Sequence, residues 1–107
     1  MITKIDTRRK EIILRLISEN KDRVGKLGVR RLGLFGSYAR GDQNENSDID
    51  ILVEFSSGKK NFDNFINLAF LLEEIFHKKV ELVTVESLSP YLKPYIMKEV
   101  EYIEIAH

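Results

Sequence analysis

A small mixed β-sheet flanked by helices, an α/β (α+β) domain, is the fold class that this 107-residue sequence predicts. Three observations point there. Three short segments are rich in apolar and β-branched residues and bounded by turn formers, two longer ones carry apolar residues at helical spacing, and the length supports one hydrophobic core but not two. Apolar strands need cover, and helices packed on a sheet supply it. No internal repeat, low-complexity tract or composition shift marks a linker, so residues 1–107 read as a single domain in the order α-β-β-α-β-α.

From Thr7 to about Asp22, Ile12, Ile13, Leu16 and Ile17 recur among charges at the period of an amphipathic helix, which Gly25 and Gly28 bring to an end. Val29–Phe35 (VRRLGLF), bounded by glycines, reads as the first strand, followed by a helical turn over Ser37–Arg40. Gly41–Ser47 (GDQNENS) has no apolar residue and many turn formers, hence an exposed loop. Asp48–Phe55 (DIDILVEF) is the second strand. A polar turn follows, and then Phe62, Phe65, Ile66, Ala69, Leu72, Ile75 and Phe76 describe a long core-facing helix that ends near His77. Val80–Val85 (VELVTV) is the third strand. Ser89 before Pro90 predicts an N-cap with proline at the first helical position, opening a last helix of about ten residues.

Seventeen basic and seventeen acidic residues cancel, so no net field draws the chain to nucleic acid or an anionic membrane. The absence of cysteine excludes disulfides, thiolate chemistry and Cys-type zinc sites. The N-terminus has charges scattered through its apolar residues and no small-residue cleavage site, and no apolar run approaches a membrane span, which together read as a cytoplasmic protein.

The stretch GSYARGDQNENSDIDILVEF concentrates the chemistry. Side chains alternate across a strand, so Asp48 and Asp50 share one face, roughly 6.5–7 Å apart along it. Ile49, Ile51 and Val53 project from the opposite face as a buried anchor. Two carboxylates held this close repel, raising the pKa of at least one unless a cation joins them, and an all-oxygen site suits Mg²⁺ or Mn²⁺. At the other end of the stretch, Gly36 and Ser37 follow the first strand and open a helical turn, whose free N–H groups favour anions such as phosphate. The Ser37 hydroxyl adds a donor, and Arg40 reaches the same anion with a fork of donors.

Gly36-Ser37, ten residues and then Asp48-x-Asp50 resemble the signature of the DNA-polymerase-β type nucleotidyltransferases. More narrowly, Gly36-Ser37-Tyr38-Ala39-Arg40-Gly41 with Ser47-Asp48-Ile49-Asp50-Ile51-Leu52-Val53 is similar to the minimal nucleotidyltransferases, antitoxins encoded beside HEPN toxins. The resemblance implies the nucleotidyltransferase fold and transfer of AMP from ATP to a tyrosine of a HEPN-family RNase toxin. It further implies that Gly36 and Ser37 hold the β- and γ-phosphates and that Asp48 and Asp50 bind two Mg²⁺ ions. The third family carboxylate falls on Glu81, where the family more often has aspartate; its extra methylene moves the strand slightly back. Glu81 is then third metal ligand and a proton acceptor.

Two other functions fit the same residues: nucleotidyl transfer to a small hydroxyl compound such as an aminoglycoside, and an antitoxin that blocks its toxin by contact alone. The first is disfavoured by the lack of an accessory acceptor domain, and the second has only Glu81 in its favour. His77 reads as a helix-end residue, Asp42, Glu45 and Asn46 as a solvated loop, Glu54 as a pairing or surface residue, and Arg30 and Arg31 as a solvated strand edge. Tyr91, Leu92, Tyr95, Ile96, Met97 and Tyr102 are assigned to the core in preference to a partner surface.

Overall fold

The computed structural model describes residues 9–106. Its helices are α1 (Lys10–Glu19), α2 (Lys21–Gly25), α3 (Gly36–Arg40), α4 (Phe62–Phe76) and α5 (Lys93–Glu99), and its strands β1 (Val29–Phe35), β2 (Ile49–Phe55), β3 (Val80–Thr84) and β4 (Glu101–Glu104). The strands form one mixed sheet in the order β3-β2-β1-β4, with β1 antiparallel to both β2 and β4 and β2 parallel to β3. A parallel neighbour requires a crossover, and α4 provides it between β2 and β3.

The alternation along the strands gives the sheet two unlike faces. Leu32 and Leu34 of β1, Ile49, Ile51 and Val53 of β2 and Val80 of β3 join Ile13 and Ile17 of α1, Val24 of α2 and Leu68, Leu72, Ile75 and Phe76 of α4 in one buried cluster. Phe35 and Leu52 are also buried but lie outside that cluster, on the second face, which they share with Asp50. The core therefore fixes β2 from behind while its other face is left for chemistry.

β1 has the predicted bounds, and β2 starts one residue later than expected, leaving Asp48 at its mouth. The first helix is interrupted at Asn20, whose side-chain amide donates to the Leu16 carbonyl at 2.7 Å, and resumes as α2; its predicted start at Thr7 lies outside the described residues. α4 is capped by Asn61, which accepts from the Asn64 amide at 2.8 Å, and closes at His77 in the left-handed region (φ 53°).

Two expectations are corrected. The last helix does not begin at Ser89; the chain first makes a turn in which the Ser89 carbonyl accepts from the Leu92 and Lys93 amides, and α5 starts at Lys93. A helix opened at Pro90 would carry Pro94 past its first turn, where a missing N–H and a clash with the preceding turn are costly; starting at Lys93 places Pro94 where neither applies. The predicted order also lacked β4, which pairs Glu101–Glu104 with Leu34–Arg31 and covers the edge of β1. Gly33 makes room for this closure, since a Cβ there would lie 2.5 Å from Val100 Cγ2 and 3.0 Å from the Tyr102 ring.

Candidate active site

The end of β1 and the start of β2 are neighbours in the sheet, with Phe35 opposite Asp50. The chain turns sharply at Gly36, whose φ of 75° and lack of side chain both matter: a Cβ there would sit 2.1 Å from Asp50 Oδ2. Only glycine permits this approach. α3 follows for a single turn and closes at Gly41 (φ 82°), where the Gly41 and Asp42 amides donate to the Ser37 carbonyl at 2.8 and 3.0 Å. Tyr38, 2% exposed, anchors the turn in the core. Ser37 beside it stays partly exposed. As the first residue after the kink it presents its hydroxyl and an amide with no intrahelical acceptor.

Across the sheet, Asp50 is in register with Glu81 of β3. Burial pushes the Asp50 carboxyl up to about 6, helped by the negative charge of Glu81, a side-chain hydrogen bond with Glu81 and the charge of Asp48, with Arg40 pulling the other way. Glu81 itself is exposed on the edge strand β3, opposite Asp50. Among the described residues, no group of three or more His, Asp or Glu side chains is drawn tightly enough to ring a metal ion. The chemistry of the donor set fits a hard divalent ion: Asp50 and Glu81 stand in register on neighbouring strands, and Asp48 precedes β2 at the strand mouth.

The half of the site expected to hold phosphate differs from expectation in one respect. The Gly36 N–H is already engaged, donating to Glu99 Oε2 at 2.6 Å, and Arg40 Nη1 donates to both Glu99 oxygens at 3.2 Å while its Nε donates to Asp42 at 3.2 Å. Glu99 is the site residue that the sequence reading missed. Its signal was an acidic side chain in the last turn of a helix, where the dipole disfavours it.

Other residues fall where local chemistry puts them. Asp42 pairs with Arg40, and the loop to Asp48 is closed by the Asn44 and Asn46 amides donating to Ser47 Oγ and Asn44 Oδ1. Glu54 is an ion-pair partner, as expected, but its partner Arg31 is no solvated edge: Arg31 Nη2 lies 2.8 Å from Glu54 and its guanidinium stacks 3.8 Å from the Tyr102 ring centre. The assignment of the C-terminal aromatics to the core is corrected, because Tyr91, Leu92 and Tyr95 are 86%, 56% and 70% exposed and Met97 is at the surface; Ile96 and Tyr102 are partly covered. With the helix starting only at Lys93, Tyr91 and Leu92 fall in the turn before it, and α5 itself buries none of its seven residues.

Comparison with known proteins places the chain in a family. Residues 13–103 match the family model described as a nucleotidyltransferase domain. A Methanocaldococcus jannaschii relative provisionally named a protein adenylyltransferase is 50% identical over 74 residues, 69% of this chain and 78% of its own. The protein adenylyltransferase MntA of Thermococcus cleftensis is 38% identical over 88 residues, 82% of this chain and 88% of its own. Among solved structures, one described as a minimal nucleotidyltransferase superimposes with a TM-score of 0.67 at 29% identity, covering 82% of this chain and 93% of that one. A crystal structure described as a toxin–antitoxin with AMP-PNP superimposes with a TM-score of 0.58 at 29% identity, covering 78% of this chain and 71% of that one. With a kinked Gly36-Ser37 turn seated against a carboxylate pair on the adjoining strands, the chain belongs to the nucleotidyltransferase domain family and is a nucleotidyltransferase of its minimal, single-sheet kind.

Proposed function

We infer that this nucleotidyltransferase is an antitoxin that transfers AMP from ATP to a tyrosine hydroxyl of a cognate HEPN-family RNase toxin and silences it. The observation that carries the reading is the apposition of Gly36 and Asp50, since it sets a turn with phosphate-binding chemistry directly against a carboxylate in register with Glu81. The names of the relatives support adenylyl transfer to protein, and neighbours that are toxin–antitoxin complexes support the class of acceptor. The exposed Tyr91, Leu92 and Tyr95 give a protein acceptor something to dock on.

In this reading Ser37 and Arg40 hold the β- and γ-phosphates, with Gly36 allowing the backbone to come close, and Asp48, Asp50 and Glu81 hold two Mg²⁺ ions, with Mn²⁺ able to substitute. When bound, those cations neutralise the leaving pyrophosphate and acidify the attacking hydroxyl. The acceptor oxygen forms its bond to the α-phosphorus in line with the departing β-phosphate oxygen, the hydroxyl proton passes to a carboxylate of the Asp50–Glu81 pair, and pyrophosphate leaves. Asp50 and Glu81, fixed at opposite positions of a parallel strand pair, supply a rigid acceptor face that costs no reorganisation during the step.

Incubating the protein with ATP, Mg²⁺ and a HEPN toxin encoded beside it, then weighing the toxin intact, tests the proposal. The expected result is a gain of one or more adenylyl groups that disappears with Asp48→Asn. Neutralisation of the toxin without added mass would show a binding-only antitoxin and refute the transfer mechanism.

A further inference from the structure

We propose that Glu99 is a positioning residue for triphosphate binding, clamping the Gly36 amide and the Arg40 guanidinium at the end of β1; the inference rests on the nucleotidyl-transfer reading. One carboxylate serves both groups, with Oε2 accepting from Gly36 N–H at 2.6 Å and both oxygens accepting from Arg40 Nη1 at 3.2 Å. Charge-assisted contacts of this kind are short, directional and stronger than neutral ones. They tie the two donor groups to each other through a third element, α5.

The setting makes Glu99 a clamp and not a displaceable stand-in for phosphate. A stand-in would ride on a segment free to leave, and this one is fastened on both sides. The next residue, Val100, fills the space over Gly33, and Glu101 pairs with Leu34 in β4 and with Lys10 Nζ at 2.8 Å. Before it, the Ile96 carbonyl accepts from the Val100 amide at 2.9 Å and closes α5. The Glu99 side chain is only 20% exposed. Pulling its backbone away would strip β4 from β1, its one neighbour in the sheet. Helix formation gives no reason for an acid here, since a negative charge in the last turn opposes the dipole. The reason lies in its partners: the Gly36 amide, one residue past the last β1–β2 pair, finds its acceptor in Glu99, and Arg40, held at Nε by Asp42, needs a second contact to fix the plane of its fork.

The division of labour follows. Ser37 offers amide and hydroxyl to the phosphates, Arg40 offers the part of its fork that Glu99 and Asp42 leave outward, and Glu99 touches no nucleotide but sets where both point. This also explains why a five-residue helix with no side-chain N-cap keeps a defined shape at the strand end.

Glu99→Gln and Glu99→Ala test the assignment, read out as KM for ATP and kcat with Mg²⁺, melting temperature, and amide exchange at Gly36 in the nucleotide-free protein. Glutamine keeps an acceptor for Gly36 but loses the charge facing Arg40, so KM for ATP should rise about tenfold with kcat nearly unchanged. Alanine loses both contacts; exchange at Gly36 should accelerate by at least about tenfold, and KM should rise further. A lower KM in Glu99→Gln would overturn the clamp in favour of a plug, and a fall in melting temperature with KM unchanged would reduce Glu99 to a structural residue. Failure of the unmutated protein to bind ATP would overturn the transfer reading and this inference with it, whereas a defect confined to the Glu99 variants beside a competent wild type sustains both.

Discussion

Asp50→Asn is expected to abolish nucleotidyl transfer and, in the absence of divalent cations, to make the protein more stable. The two effects share one cause. Asp50 is a half-buried carboxylate held against Glu81 and near Asp48, and its carboxyl is pushed up to about 6 by burial first and by those charges second. Asparagine removes the charge, can donate to Glu81, and leaves the proposed metal site one ligand short. Loss of activity by about three orders of magnitude corresponds to the several kcal/mol that metal-assisted charge neutralisation contributes.

The stability side has a sign that pH can check. Because the folded carboxyl lies above its ordinary value of 3.8, the folded chain keeps a proton that the unfolded chain gives up between about pH 4 and 6. The charge therefore costs nothing in acid, and its destabilising effect grows as pH rises through that window and is complete above it. The unscreened cost is about 3 kcal/mol, and solvent access to a half-buried group reduces it to about 1–2 kcal/mol. Thermal melts in EDTA should show Asp50→Asn several degrees above wild type at pH 7.5, with the gap closing below pH 4. Equal melting at both pH values would mean that Asp50 is less strained than the geometry indicates.

Gly36→Ala should disable the site by a different route. A left-handed φ costs alanine about 1 kcal/mol, and a Cβ at 2.1 Å from Asp50 Oδ2 leaves the carboxylate nowhere to stand. Overpacking of this kind adds about 1–3 kcal/mol, so a total near 2–4 kcal/mol and loss of transfer are expected. Coupling supplies the check. In an Asp50→Ala background most of the clash is gone, so the stability cost of Gly36→Ala should fall by about half or more; strictly additive costs would contradict the contact.

Much of this was legible in the sequence because the chemistry and the fold use the same short stretch. Gly36-Ser37 and Asp48-x-Asp50 lie at the ends of two strands whose alternation is strong, so the pattern that identifies the strands also orients the carboxylates. Glu81 was singled out through the family resemblance, as the position of the third carboxylate. What the sequence hid was at the C-terminus. β4 is four residues with an acid at each end, and it is a strand because β1 offers an edge beside Gly33, a tertiary fact with no local signature. Missing β4 meant missing Glu99, which stands between α5 and that strand. The exposed tyrosines were misplaced for a related reason: helical spacing shows that a stripe is apolar but not whether anything covers it, and here a proline at the start of α5 shortened the helix that would have been needed.

The most direct measurement follows the label from ATP. With Mg²⁺ and the cognate toxin, radioactivity at the α-phosphate should enter the toxin and radioactivity at the γ-phosphate should not, with pyrophosphate released in equal amount and all transfer lost in Asp50→Asn. Label entering from the γ-position, or transfer undiminished in Asp50→Asn, would contradict the account.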